Sequence, residues 1–269
     1  MYVISISNQK GGVGKTTLTV NLASEFARKG WRVLVVDMDG QCNATNFYQD
    51  AEENSNRTIY SVLTNQAIAQ QCIQHVDKCL DLMPGSPDIK FFDSEDETLL
   101  KRAIQTSYFQ NRYDIVFIDN PPAINNKTLN SYTASTHVLL VTEAGEFSVD
   151  GLRRFHKDIQ NIQTLSNPNL SVVGILINKV HGRRKLDQSY ICNIRSAYPD
   201  LTFHQCLNDY SEIQRAISAG ETVCEGYPGS KAATRIRAIT EELIYRLNRS
   251  KSNGNEKATE DTKDSDAKS

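Results

Sequence analysis

Five short runs rich in apolar and β-branched residues punctuate the chain, at 3–6, 32–36, 115–118, 138–141 and 172–177. Each is continuous rather than alternating, as a strand covered on both faces requires. Between them the spacing changes to that of helices. Over 16–29, Leu18, Leu22, Phe26 and Ala27 recur near one face, and Gly30 supplies the left-handed residue that ends such a helix. Over 149–165, Leu152, Phe155, Ile159 and Ile162 make a second stripe, and over 231–247 Ile236, Ile239, Leu243, Ile244 and Leu247 make a third. Strand and helix in alternation predict an α/β fold, a mostly parallel twisted sheet with helices on both faces.

Beyond residue 247 the pattern stops. Residues 248–269 contain no aromatic and no large aliphatic side chain. Such a segment buries too little apolar surface to offset an ordering entropy of ~1–2 kcal/mol per residue. The expected organisation is one domain over 1–247 and a disordered polar tail over 248–269. With 39% hydrophobic residues in 269, the chain has ample material for a core. No apolar run approaches the ~20 residues of a membrane span, and the start Met1-Tyr2-Val3-Ile4 lacks the form of a signal peptide. A cytoplasmic setting is expected, with the six cysteines reduced.

A net charge of -2 argues against a generally basic nucleic-acid binder of the histone kind. The total conceals a gradient. Residues 1–152 carry a net of -6, residues 153–247 a net of +4, and the tail none. The densest basic run is Arg183-Arg184-Lys185, so a local basic face remains open to the second half.

The strongest local signal is Lys10-Gly11-Gly12-Val13-Gly14-Lys15-Thr16-Thr17, set between the first strand and the first helix. Glycines let backbone N–H groups converge on phosphate oxygens, and a helix N-terminus adds a favourable dipole. Lys15 brings a point charge to β- and γ-phosphates, and Thr16 a hydroxyl ligand for Mg²⁺. The usual first glycine of a P-loop is Gln9 here, and a second lysine, Lys10, precedes Gly11.

In that departure the segment resembles the deviant Walker A box of the ParA/MinD superfamily. Asp37-Met38-Asp39-Gly40-Gln41-Cys42-Asn43-Ala44-Thr45 is similar to the superfamily's D-x-D-P-Q-G-N-A-T stretch, with Gly40 for Pro and Cys42 for Gly. Leu82-Met83-Pro84-Gly85-Ser86 resembles its L-x-P-[AG]-S stretch. An apolar strand running into Asp119-Asn120-Pro121-Pro122 resembles its Walker B segment, and Phe147-Ser148-Val149-Asp150-Gly151-Leu152 a further one. The likeness covers about residues 1–247.

The resemblance implies a P-loop NTPase that hydrolyses ATP with Mg²⁺ as an ATP-bound sandwich homodimer. Gly11, Gly12, Val13, Gly14, Lys15, Thr16 and Thr17 then hold the phosphates, and Lys10 crosses to the partner's nucleotide. Asp39 positions the attacking water, while Thr16, Asp37 and Asp119 serve the metal region, Asp119 through water. Asn178, just after a strand, contacts adenine. Leu207-Asn208-Asp209 stands where many relatives have Ile-Pro-Arg, which leaves that base loop open.

Within the superfamily the short ParA/Soj-type partition proteins fit best. A first strand starting near residue 2 leaves no room for an N-terminal helix-turn-helix. Ile239, Leu243 and Leu247 read as core rather than as a MinD-type membrane helix. The expected partners are nonspecific DNA and a ParB-type centromere-binding protein, with no membrane, and the expected location is the nucleoid. Arg183, Arg184, Lys185, Arg195 and Arg215 are the DNA candidates. The alternatives are positioning of another cargo, as in conjugation or chemotaxis, and MinD-like recruitment to a membrane.

Overall fold

The computed structural model describes residues 1–49, 56–146, 148–181 and 184–266, with side chains described as far as Ser250. Phe147 and Arg183 lie outside the described residues. The strands are β1 (Tyr2–Ser7), β2 (Val33–Asp37), β3 (Gln74–Asp77), β4 (Leu80–Met83), β5 (Ile115–Asp119), β6 (His137–Glu143) and β7 (Ser171–Asn178). The helices of the first half are α1 (Lys15–Arg28), α2 (Asn43–Tyr48), α3 (Ile59–Leu63), α4 (Leu99–Ile104), α5 (Ser107–Arg112) and α6 (Asn126–Ala134). Those of the second are α7 (Ser148–Leu165), α8 (Lys185–Ala197), α9 (Ser211–Ser218), α10 (Val223–Gly226) and α11 (Lys231–Asp266).

The strands form one sheet in the order β3-β4-β2-β5-β1-β6-β7. Every pairing is parallel except β3 with β4. All five sequence-predicted runs are strands, and their side chains divide by parity. Ile4, Ile6, Val33, Val35 and Phe117 face α1 and α11, whereas Val3, Leu34, Val36 and Val116 face α3, α4 and α5. Farther along the sheet, Leu140 and Ile177 pack with Leu152, Phe155 and Ile159 of α7.

The predicted helices take their predicted faces. Leu18, Leu22 and Phe26 of α1 are fully buried, each contributing about 1.5–3 kcal/mol relative to exposure. Gly30, at φ +86°, turns the chain out of α1, with its N–H on the Ala27 carbonyl at 2.9 Å. Ile236, Ile239, Leu243 and Leu247 of α11 join the same core. Leu247 closes that buried stripe, and the backbone of α11 continues past the expected boundary to Asp266.

β3 and β4 escape the hydrophobic pattern. β4 is four residues long and carries a carboxylate, Asp81, in a fully buried stretch. The charge is tolerated because Arg112 (2.8 Å), the Tyr113 hydroxyl (2.7 Å) and His75 (3.0 Å) all bond to it. Those partners lie up to 32 residues away, beyond any local reading.

His137 opens β6 and ties α11 to the sheet. Its ring packs edge-on against Tyr2, and its Nε2 lies 3.0 Å from the Ser250 hydroxyl. Tyr2 donates its hydroxyl to the Leu247 carbonyl at 3.2 Å. Burial pushes the imidazole pKa down from 6.5 to about 4. The unfolded chain therefore binds the extra proton between these values, so stability falls as pH drops from about 6.5 towards 4. The expected loss from this group between pH 7 and pH 5 is about 2 kcal/mol. Asp37 and Asp119, whose pKa values are raised, act in the opposite sense. The check is therefore the difference in urea-melt stability between wild type and His137→Gln across that window. A constant difference refutes it.

Candidate functional site

The glycine-rich loop leaves the C-terminal end of β1, near the centre of the sheet, and enters α1. Ligands bind outside the carboxyl ends of parallel strands in such sheets. Gly12 (φ +76°) and Gly14 (φ +91°) take left-handed conformations that a side chain resists. Three carbonyls of the loop are held by side chains. Lys15 Nζ lies 3.5 Å from the Lys10 carbonyl, Lys179 Nζ 2.6 Å from that of Gly12, and Asn178 Nδ2 2.7 Å from that of Val13. Gly11, Gly12, Gly14 and the first turn of α1 line an open cleft of about 630 Å³. The geometry suits an anion at a helix N-terminus.

Beside the loop lies an acidic centre. Asp37 ends β2, Asp119 ends β5, and the two are register partners. Both are fully buried. Asp119 accepts hydrogen bonds from Thr16 (2.6 Å) and Thr19 (3.1 Å). Asp37 accepts from the Thr45 hydroxyl (2.7 Å), the Thr45 N–H (2.9 Å) and the Asp39 N–H (3.1 Å). Burial raises both carboxyl pKa values, to about 6 for Asp37 and about 7 for Asp119, where the charge of Asp37 adds to the effect. Two adjacent buried carboxylates beside a threonine hydroxyl form a donor set short of positive charge. Magnesium, an oxygen-seeking cation that keeps several waters, fits that set. Burial lowers the pKa of Lys15, opposed by Asp119 and Asp39. Its ammonium is costly to hold there without an anion.

Asp39 lines the cleft with Lys15 and Thr16. Its carboxylate is oriented by the Gln41 N–H at 3.0 Å. Lys10 instead stands at the lip, exposed, with Nζ 2.6 Å from Glu143. Glu143 also lies 3.9 Å from Lys179. Asn120 is buried between β1 and β5, donating to the Ser7 hydroxyl at 3.2 Å and the Ile6 carbonyl at 3.3 Å, while its own Oδ1 has no partner among the described residues.

Asn178 ends β7 and touches the loop, and a smaller hollow of about 250 Å³ lies between it and residues 207–210. The basic candidates are dispersed. Arg184 and Lys185 stand at the start of α8, while Arg195 sits in its last turn, about 15 Å along the axis. Arg195 donates to the His204 carbonyl at 2.9 Å, and Arg215 of α9 stacks over Tyr227.

Sequence reasoning missed Thr19, Thr45, Glu143 and Lys179. Thr45 was within a quoted motif and Thr19 one turn beyond Thr16, so helical spacing held their signal. Glu143 and Lys179 share a position type, the C-terminal end of a strand or the residue after it.

The AAA_31 family, described as an AAA domain, matches residues 1–172. Chromosome-partitioning ATPase Soj of Thermus thermophilus is 31% identical over 247 residues, covering 91% of this chain and 96% of that protein. The sporulation initiation inhibitor protein Soj of Bacillus subtilis is 29% identical, covering 90% and 97%. Among solved structures, cobyrinic acid a,c-diamide synthase from Mycobacterium smegmatis, with bound ATP analogue and magnesium, superimposes with a TM-score of 0.78. It shares 23% identity and covers 92% of this chain and 96% of its own. At that identity the likeness is one of fold.

Proposed function

The chain belongs to the AAA_31 family and is a ParA/MinD-type P-loop ATPase, and from that premise we propose that it is a DNA-partition ATPase of the short ParA type. The observation that carries the reading is the convergence of Lys15, Thr16 and Asp39 on one cleft, with the buried Asp119 bonded to Thr16 behind it and Lys10 outside it on the lip. In this reading residues 11–17 bind the triphosphate of ATP, and Thr16, Asp119 and Asp37 hold Mg²⁺. When bound, the ion neutralises charge on the β- and γ-phosphate oxygens. Lys15 places its ammonium against the same oxygens, where low polarity strengthens the attraction. Asp39 accepts a hydrogen bond from the attacking water and turns its lone pair towards the γ-phosphate. Lys10 reaches the nucleotide of a second subunit, so the dimer forms only with ATP.

The dimer holds nucleoid DNA through phosphate contacts from Arg184, Lys185, Arg195 and Arg215, with Arg183 beside them. A ParB-type partner stimulates hydrolysis and releases it. Among the described residues no helix is long and apolar enough to cross a membrane. Ile239, Leu243 and Leu247 are spent in the core, which disfavours a membrane handle on α11.

The test is retention of duplex DNA with and without ATP–Mg²⁺ over a salt series. Retention should require ATP. With about six phosphate contacts per dimer it should weaken about a thousandfold between about 50 mM and 200 mM salt. Retention that ignores ATP, or ignores salt, rejects the DNA reading. Parallel sedimentation with anionic liposomes tests the membrane alternative.

A further inference from the structure

Lys179, the residue after β7, holds an unusual backbone. Its φ of +53° lies in the left-handed region, which a residue with a Cβ enters only at a cost. The chain on either side enforces it. The Leu207 N–H bonds to the Ile177 carbonyl (2.9 Å), the Val180 N–H to the Leu207 carbonyl (3.1 Å), and the Asp209 N–H to the Val180 carbonyl (3.1 Å). From that fixed point the side chain reaches back to the phosphate loop. Its Nζ donates to the Gly12 carbonyl at 2.6 Å, and Glu143 is the nearest counter-charge, at 3.9 Å.

A trans peptide unit is planar, and its carbonyl and the following N–H point in opposite directions. The described residues contain no cis peptide. Holding the Gly12 carbonyl therefore sets the direction of the Val13 N–H. Asn178 does the same for the next unit, holding the Val13 carbonyl at 2.7 Å and so aiming the Gly14 N–H. Both units involve glycines at positive φ, Gly12 at +76° and Gly14 at +91°, where the backbone is freest and an outside hold matters most. Among the described residues no protein acceptor takes the Val13 or the Gly14 N–H. Unpaired donors in a glycine-rich loop before a helix are what a phosphate oxygen accepts from.

We propose that Lys179 is a positioning residue of the phosphate loop: by holding the Gly12 carbonyl it presents the Val13 N–H to the triphosphate. The proposal rests on the reading that residues 11–17 bind the phosphates of ATP. The lysine acts through the loop, and its ammonium need not touch the nucleotide.

The test is calorimetric titration of ATP–Mg²⁺ into the full chain, wild type and Lys179→Met, together with the ¹⁵N–¹H signal of the Val13 amide. Methionine keeps most of the stem, lacks the ammonium and bears the same backbone cost. ATP binding should weaken about tenfold, as expected for one lost charge-assisted hydrogen bond. The Val13 signal should move in the variant before any nucleotide is added. The side chain is 42% exposed, so the thermal midpoint without nucleotide should stay at the wild-type value. Affinity within about threefold of wild type overturns the proposal. So does a weakened affinity with the Val13 signal unmoved, which would make the ammonium a through-space charge only, or a weakened affinity accompanied by a lowered midpoint, which would make it a general brace. If the wild type itself takes up no ATP, the phosphate-loop reading has failed and the proposal with it.

Discussion

Replacing Lys10 with alanine should abolish the ATP-induced dimer while leaving nucleotide binding to the monomer within a few-fold of wild type. In the free chain the Lys10 side chain is 68% exposed and paired with Glu143. An exposed pair of this kind is worth about 0–1 kcal/mol, so it does not compete with a triphosphate in a closing interface. Removing one partner of a buried charge pair between subunits costs about 2–5 kcal/mol. The homodimer loses two such contacts, so its association constant should weaken by at least about 30-fold to several thousandfold. Light scattering with ATP–Mg²⁺ reads the dimer, and equilibrium dialysis reads the nucleotide. A normal dimer in Lys10→Ala removes the trans role. The thermal midpoint should be unchanged, since the side chain contributes no core contact.

Asp39→Ala should have the opposite signature. Turnover should fall by about 100-fold or more, because the attacking water loses its acceptor. Binding should survive, since the charge of Asp37 and Asp119 and the ammonium of Lys15 are retained. The dimer, formed but unable to discharge, should accumulate and persist in ATP. A hydrolysis rate equal to wild type rejects the water-positioning role. Asp39→Asn separates charge from shape, because the amide keeps an acceptor oxygen but adds a donor on the other side. A rate between those of wild type and alanine is expected.

The phosphate loop was readable from the chain because its parts are contiguous: eight consecutive residues running from the turn after β1 into the first turn of α1. The same holds for the helix stripes of α1 and α7, which depend on spacing alone. The acidic centre was only half readable. Asp37 and Asp119 could be named, but their adjacency comes from the pairing of β2 with β5, 82 residues apart. Glu143 and Lys179 were out of reach for the same reason, since nothing near either residue marks it as a neighbour of the loop. The basic excess of residues 153–247 was legible as a count but not as an arrangement on the surface. Arg246 is spent on Glu242 (2.9 Å) and the Thr202 carbonyl (2.9 Å). Arg195 braces His204, and Arg237 braces the Pro228 carbonyl at 2.8 Å. Several of the cations that produce the gradient also brace the fold, Arg246 among them, while Arg195 stays exposed beside its contact.

The contact of Asn178 with both Gly14 and Val13 has a mechanical consequence. The residue that walls the smaller hollow is also a peg of the phosphate loop, so under the proposed function one rigid body grips both ends of a bound nucleotide. Changing the grip on the base re-sets the mould for the phosphates, and a side chain at Gly14 evicts the peg from the other direction. In such a linkage, affinity for the base and geometry at the γ-phosphate drift together under mutation, and neither can be tuned alone.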